Sequence, residues 1–144
     1  MSGNDLQQVK QALVDAGLEI YRTTTDELEI AERVRLHIMD SGVRVRPDLS
    51  VVFIARSQRS DFPSVNADQL FAKVRDSIGP FAMDRGYAEE GSQTVDVRDP
   101  MDANRVLDVW HEVVYVKVAD DVAGVVDEVR WALNLDRYVT PESA

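Results

Sequence analysis

The residues best placed to do chemistry form an alternating run of apolar and charged positions. The run is Arg-Val-Arg-Leu-His-Ile over 33–38 and, after Met-Asp-Ser-Gly over 39–42, Val-Arg-Val-Arg over 43–46. Strand side chains point to opposite faces at every second residue, so the alternation predicts a β-hairpin with two different faces. The predicted basic face carries Arg33, Arg35, His37, Arg44 and Arg46. The predicted apolar face carries Val34, Leu36, Ile38, Val43 and Val45.

The turn of this hairpin is expected at Ser41-Gly42, which would set His37 opposite Arg46 across the two strands. Guanidinium groups match the geometry of carboxylates and phosphates, because one arginine can donate two parallel hydrogen bonds. The basic face therefore predicts binding of an acidic protein segment or of a small anionic ligand. The alternative is an ordinary solvated face, on which the arginines pair with acidic side chains elsewhere in the fold.

Trp131 is a second candidate for an interaction residue. The last predicted helix buries a stripe of residues at helical spacing, and Trp131 lies nearly opposite that stripe. A tryptophan on the solvent side of a helix predicts an interface, because aromatic residues are frequent binding hot spots. In the alternative interpretation the C-terminal tail, with Tyr138 and Val139, covers the indole.

The remaining polar residues do not form a recognisable catalytic or metal-binding pattern. The two histidines, His37 and His111, would need a third ligand to hold zinc. The acidic stretch 96–104 departs from the EF-hand pattern and predicts Asx-type turns instead. The chain contains no Gly-x-Ser-x-Gly, P-loop or dinucleotide motif. The sequence thus predicts no catalytic residue, no metal site and no cofactor.

Composition narrows the class of protein further. Sixteen Lys and Arg stand against 26 Asp and Glu, and the net charge of −10 opposes general binding to nucleic acid or anionic membranes. Cysteine is absent, which excludes disulfides and thiolate chemistry. The N-terminal residues lack a basic and apolar signal sequence, and no run approaches the ~18 apolar residues of a membrane span. These features predict a soluble cytoplasmic protein.

The pattern of apolar residues predicts one α+β domain over 1–144, with its core over about 5–134. The predicted helices are 5–16, ended by Gly17, 67–78, capped by Asn66, a short turn over 80–84, and a last helix from Asp120 or Asp121 to about Leu133. The predicted strands are 18–24, 27–38 with a break at 31–32, 43–46, 49–57, 93–98 and 106–118. A single helix over 26–40 remains the alternative for that segment, and 138–144 is expected to be a loose tail.

The predicted element order is α-β-β-β-α-β-β-α, an antiparallel sheet packed by helices. This order over 5–134, with the small size and acidic balance, resembles the type III secretion chaperone fold and the related YbjN-like proteins. The resemblance implies a homodimer that binds an extended segment of a partner protein without catalysis, and it transfers no residue roles. The leading hypothesis is therefore a non-enzymatic interaction module. The alternative is a regulatory domain that binds a phosphorylated or other anionic metabolite on the arginine-rich hairpin.

Overall fold

The computed structural model describes residues 2–142, with side chains from Leu6 onward. Its helices are α1 (Ser2–Asp15), α2 (Ala67–Ser77), α3 (Gly79–Asp84) and α4 (Val122–Asn134). Its strands are β1 (Ile20–Thr23), β2 (Leu28–Val34), β3 (His37–Val45), β4 (Ser50–Gln58), β5 (Ala88–Asp99), β6 (Asp102–Val118) and β7 (Tyr138–Val139). Among these elements, no helix is long and apolar enough to cross a membrane.

The α+β class with an antiparallel sheet is confirmed. The strand order is β1-β2-β3-β4-β6-β5, and β7 pairs with β4 in parallel. Four strands, rather than the three of the predicted order, precede α2. The helix alternative for 26–40 is wrong, because these residues form β2, a tight turn and the start of β3.

The position of the hairpin turn differs from the prediction. Arg35 and Leu36 form the turn, with Arg35 at a φ of 58°, and Val34 pairs with His37 across it. Ser41 and Gly42 instead form a bulge inside β3, because the register moves from Ile30↔Val43 to Ala31↔Asp40.

The bulge is held by its own polar groups. The buried Ser41 hydroxyl donates to the carbonyl of Ile30 at 2.6 Å and accepts from the amide of Val43 at 3.0 Å. Gly42 has a φ of 79°, which a glycine adopts without the strain that a side chain would bring. Ser41-Gly42 therefore stabilises a β-bulge here rather than a turn.

The chain divides into two compact units, and β4 and β6 contribute residues to both. The first unit comprises Met1–Phe53 and Val116–Leu135. Its helix α1 is followed by Gly17, which has a φ of 86°, and packs against α4. Asp121 caps α4 by accepting from the amide of Gly124. Its buried apolar residues include Val9, Leu13, Leu28, Ile30, Val43, Val45, Val51, Phe53, Val125 and Val129.

The second unit comprises Ile54–Tyr115 and Asp136–Ala144. Its helix α2 begins after Asn66, whose side chain accepts from the amide of Gln69, as predicted. The buried Ser57 hydroxyl joins β4 to this helix by donating to the carbonyl of Leu70 at 2.8 Å. Its buried apolar residues include Ala55, Leu70, Val74, Ala82, Tyr87, Val109, Val113, Tyr115 and Val139.

Two further expectations for the second unit need correction. Strand β6 begins at Asp102 rather than at the predicted 106, and its residues 102–107 are exposed. Residues 138–139 are not a loose tail, since they form β7 on β4 and Val139 is buried. The last two residues of the predicted tail, 143 and 144, lie outside the described residues. The assignment of 1–144 to a single domain stays a prediction.

Candidate interaction surface

The most unusual surface of the first unit is the end of the β2–β3 hairpin, residues 33–39, here called the hairpin tip. Beyond the bulge the two strands pair with each other, and β4 pairs with β3 only over 43–45. Leu36, in the turn, is 94% exposed. Three neighbours, Val34, Ile38 and Met39, are also exposed. The hairpin tip thus presents four large apolar side chains within seven residues.

The basic residues of the hairpin tip lie among these apolar residues rather than on a separate face. Arg33 pairs with Ile38 and His37 pairs with Val34, so each face of the ribbon carries both kinds of side chain. The predicted division into one basic and one apolar face is therefore wrong. Its cause is the bulge and the displaced turn, which change which residues lie opposite one another.

Arg33, Arg35 and His37 are exposed at the hairpin tip. The Nε of Arg33 lies 2.6 Å from Oε1 of Glu19, and both side chains are largely exposed. An exposed ion pair of this kind contributes little stability, so the Arg33 guanidinium can exchange partners at low cost. Arg35 occupies the turn in the left-handed conformation, with a φ of 58°.

Arg44 does not belong to the hairpin tip, because it lies on the other side of the bulge. Its guanidinium donates to both carboxylate oxygens of Asp40, at 2.5 and 2.8 Å, and lies 3.6 Å from Glu27. Burial acts to raise the pKa of Asp40, but the hydrogen bonds from Arg44 and the Gly42 amide outweigh it and lower the pKa. Arg44 is therefore neutralised within the sheet, and Arg46 is half-buried.

Of the five residues proposed for an anion surface, three lie in the hairpin tip, namely Arg33, Arg35 and His37, and the other two, Arg44 and Arg46, lie in the sheet. The acidic partner of Arg44 was missed by the sequence analysis. The signal was present in the spacing, since Asp40 lies four residues before Arg44. The Ser41-Gly42 bulge lies between these two residues, which an uninterrupted strand would hold farther apart.

Trp131 is half-buried on α4 rather than fully exposed. Its ring meets the buried ring of Phe53 edge to face, with centroids 6.0 Å apart and planes at 69°. This geometry is favourable for aromatic pairs and fixes one side of the indole against the core of the first unit. The interface role of Trp131 stays a prediction.

In the second unit, the acidic stretch 96–104 forms Asx-type turns, as predicted. Asp99 accepts from the amide of Met101 at 2.9 Å, and Asp102 accepts from the amide of Asn104 at 3.1 Å. Within 2–142, no three His, Asp or Glu side chains converge in a way that could hold a metal ion.

A cluster around Arg56 in the second unit was not foreseen. The Arg56 guanidinium lies 3.7 Å from the centroid of the Trp110 ring and 5.0 Å from that of Tyr138. Its Nε lies 3.3 Å from Oε2 of Glu112, and Gln93 donates to the other carboxylate oxygen at 2.8 Å. The guanidinium is thus engaged by two aromatic rings and a buried carboxylate, an arrangement that contributes to the packing of the sheet.

His111 is buried and lies edge to face with Phe71, the ring centroids being 5.1 Å apart. Its Nδ1 has no hydrogen-bond partner among the described residues. The nearby Ser60 hydroxyl donates to Asp108 at 2.7 Å. In a Ser-His-Asp triad the serine donates to the histidine rather than to the carboxylate, so this arrangement does not form a triad.

The pKa of His111 predicts how stability depends on pH. Burial lowers this pKa, the positive charge of Arg59 lowers it further, and Asp108 opposes both. The unfolded chain therefore binds more protons than the folded one below the ordinary histidine pKa of 6.5. We expect the contribution of His111 to stability to be present above that pH and to be lost as the pH falls below it.

Urea unfolding at pH 7.5 and pH 5.0 checks this expectation. The difference between the two free energies of unfolding should shrink in His111→Leu. It should persist in His37→Gln, which removes the exposed histidine of the hairpin tip. An equal pH dependence in the wild type and in His111→Leu would contradict the prediction.

Comparison of the chain with protein-family models, with curated proteins and with solved structures finds no match. The resemblance to type III secretion chaperones therefore stays a prediction from the element order.

Proposed function

We propose that the chain is a non-enzymatic protein-interaction module that binds an acidic segment of a partner protein at the hairpin tip. The observation that carries the proposal is the exposure of Leu36, Val34, Ile38 and Met39 beside Arg33 and Arg35. Clustered apolar side chains on a surface are typical of binding sites, because their burial against a partner is favourable.

The charge of the hairpin tip indicates the chemistry of the partner. Arg33 and Arg35 can each donate two hydrogen bonds to a carboxylate, and the exposed apolar residues of the hairpin tip can bury the side chains that flank it. The chain as a whole carries −10, but charges more than about 8 Å away are largely screened at physiological salt. For a short segment bound at the hairpin tip, the electrostatic interaction is therefore dominated by the nearby arginines.

The finer form of this proposal is a chaperone-like homodimer that acts in the cytoplasm. It is supported by the resemblance in element order and by the acidic composition. The competing function, binding of a phosphorylated metabolite, loses support because Arg44 is already held by Asp40 and Glu27.

A peptide array tests the proposal. The array carries 12-residue peptides rich in Asp and Glu with two or three apolar residues, and a matched set in which Lys replaces each acid. We expect the acidic set to bind and the basic set not to bind. Leu36→Ser should weaken binding about tenfold, which corresponds to the loss of roughly 1.4 kcal/mol of apolar burial.

The chain offers a close control for each variant. Met101→Ser matches Leu36→Ser, because Met101 also lies in a hairpin turn and is 93% exposed. Arg105→Glu likewise matches Arg35→Glu as a charge reversal at an exposed arginine. The proposal fails if the tip variants bind as well as their controls. It also fails if nucleotides or sugar phosphates, rather than peptides, raise the melting temperature and lose that effect in Arg35→Glu.

A further inference from the structure

The hairpin tip contains one residue that an oxidant can convert from apolar to polar, Met39. The chain has four methionines and no cysteine, so the thioether groups of methionine are the sulfur groups that an oxidant meets. Peroxides convert a thioether to a sulfoxide, and exposed methionines are commonly oxidised in this way. Met39 is 49% exposed, so its sulfur is accessible to a peroxide in solution.

Met39 belongs to an apolar patch on one face of the β2–β3 ribbon. It pairs with Glu32 in the register of the two strands. Val34 lies two residues after Glu32 and therefore on the same face, because side chains alternate along a strand. Diagonal neighbours of this kind are about 7–8 Å apart, so one apolar side chain of a partner can contact both. Val34 is itself exposed, and the patch is open to such a partner.

A sulfoxide at Met39 would make this patch polar. Its oxygen is a hydrogen-bond acceptor, and an apolar side chain of a partner would remove water from that oxygen without supplying a donor. Burial of a polar group without a hydrogen bond is unfavourable. Met39 is not one of the buried residues of the first unit, so its oxidation removes no core contact. The expected effect is therefore on binding at the hairpin tip rather than on the fold.

Two other methionines provide an internal comparison. Met83 lies on α3 and Met101 lies in the turn between β5 and β6, both in the second unit. They are 61% and 93% exposed, so a peroxide should reach them at least as readily as it reaches Met39. Neither belongs to the hairpin tip, and their oxidation should leave the binding surface unchanged.

We propose that Met39 is an oxidation site at which a peroxide weakens binding at the hairpin tip. With hydrogen peroxide, the O–O bond breaks, the sulfur is oxidised as it forms a bond to one of the oxygens, and the other oxygen leaves as water. A thiol-dependent methionine sulfoxide reductase reverses the change, because its thiols are oxidised to a disulfide while the sulfoxide oxygen leaves as water. The inference rests on the proposed function, since it concerns regulation of that binding site.

Peptide binding before and after oxidation tests the inference on the full chain. The probe is the acidic peptide that binds best in the array, chosen to lack methionine and tryptophan so that the peptide itself is not oxidised. The protein is treated with hydrogen peroxide, catalase removes the excess, and mass spectrometry of proteolytic fragments locates each sulfoxide. We expect a sulfoxide at Met39 and binding about tenfold weaker, because a polar group is then buried without a partner. Treatment with methionine sulfoxide reductase and dithiothreitol should restore the binding.

Three variants assign the effect to Met39. Met39→Leu keeps an apolar side chain of similar volume but cannot form a sulfoxide, so its binding should be the same before and after peroxide. Met101→Leu should lose binding on oxidation as the wild type does. Met39→Gln places a polar side chain at this position and should bind weakly even without peroxide.

The outcomes separate this inference from the proposed function. If the untreated wild type binds none of the acidic peptides, the proposed function fails and the inference fails with it. The inference alone fails if the untreated protein binds and oxidation of Met39 leaves that binding unchanged. It also fails alone if Met39→Leu loses as much binding on oxidation as the wild type, or if Met83 and Met101 are oxidised while Met39 is not.

Discussion

Glu112→Leu is expected to lower the free energy of unfolding by about 3 kcal/mol, the lower end of the range for breaking a buried ion pair. The Glu112 side chain is 5% exposed and that of its partner Arg56 is 14% exposed. Without the carboxylate, the guanidinium keeps its stacking on Trp110 but loses its counter-charge in a place that water barely reaches. Urea unfolding followed by far-ultraviolet circular dichroism measures the loss.

Two comparisons make this prediction specific to the charge. The double variant Arg56→Met, Glu112→Leu removes both charges and should recover part of the lost stability, because apolar residues can replace a buried pair. Glu19→Leu removes the acidic partner of an exposed arginine and should change stability by roughly 0–1 kcal/mol. A double variant as unstable as Glu112→Leu alone would show that packing, rather than the unpaired charge, causes the loss.

Phe53→Ala is expected to lower the free energy of unfolding by about 4 kcal/mol, within the range for removing a buried phenylalanine. Phe53 is fully buried in the first unit, and its ring supports one side of Trp131. Loss of the ring should also shift the tryptophan emission to longer wavelength, since the indole gains contact with water.

Phe81→Ala provides the matched control, because Phe81 lies on α3 and is largely exposed. This surface substitution should change stability by no more than about 0.5 kcal/mol and leave the emission unchanged. Equal losses in the two variants would mean that the Phe53–Trp131 contact does not organise the core of the first unit.

The helices could be predicted from the sequence because their signals are local. Asn66 and Asp121 accept from amides three residues later, and Gly17 adopts the positive φ that ends α1. In each case the residues that interact are close together in the sequence, so the ends of these helices can be predicted from a short segment.

The turn of the hairpin was predicted in the wrong place because two local sequence signals conflict with the strand pairing of the sheet. Ser41-Gly42 has the composition of a turn, but the same residues also suit a bulge. Arg35-Leu36 lacks the glycine or asparagine that usually marks a two-residue turn, although Arg35 adopts a φ of 58°. Pairing with β1 and β4 on either side decides the register, and that pairing is not visible in a local window.

The cluster around Arg56 could not be predicted because its contacts also depend on the pairing of distant strands. Arg56, Trp110 and Glu112 occupy apolar strands that are interrupted by several polar residues, and nothing in the local pattern singles these three out. Their contacts depend on the alignment of β4 with β6 and on β7, which brings Tyr138 to the same guanidinium. The basic residues of the hairpin tip were identified from sequence, since their types and spacing are local, but the exposure of the apolar residues among them was not.

The place of β7 beside β4 has a consequence for the order of events during synthesis. Tyr138, which pairs with Arg56, lies 82 residues after it in the chain. A growing chain therefore carries the C-terminal half of β4, including Arg56, for several seconds at about 5–20 residues per second before its parallel neighbour exists. During that interval Ser57 and Arg56 lack their last strand partner. The nascent chain is then most exposed to wrong pairing at β4, and completion of the C-terminal strand ends that risk.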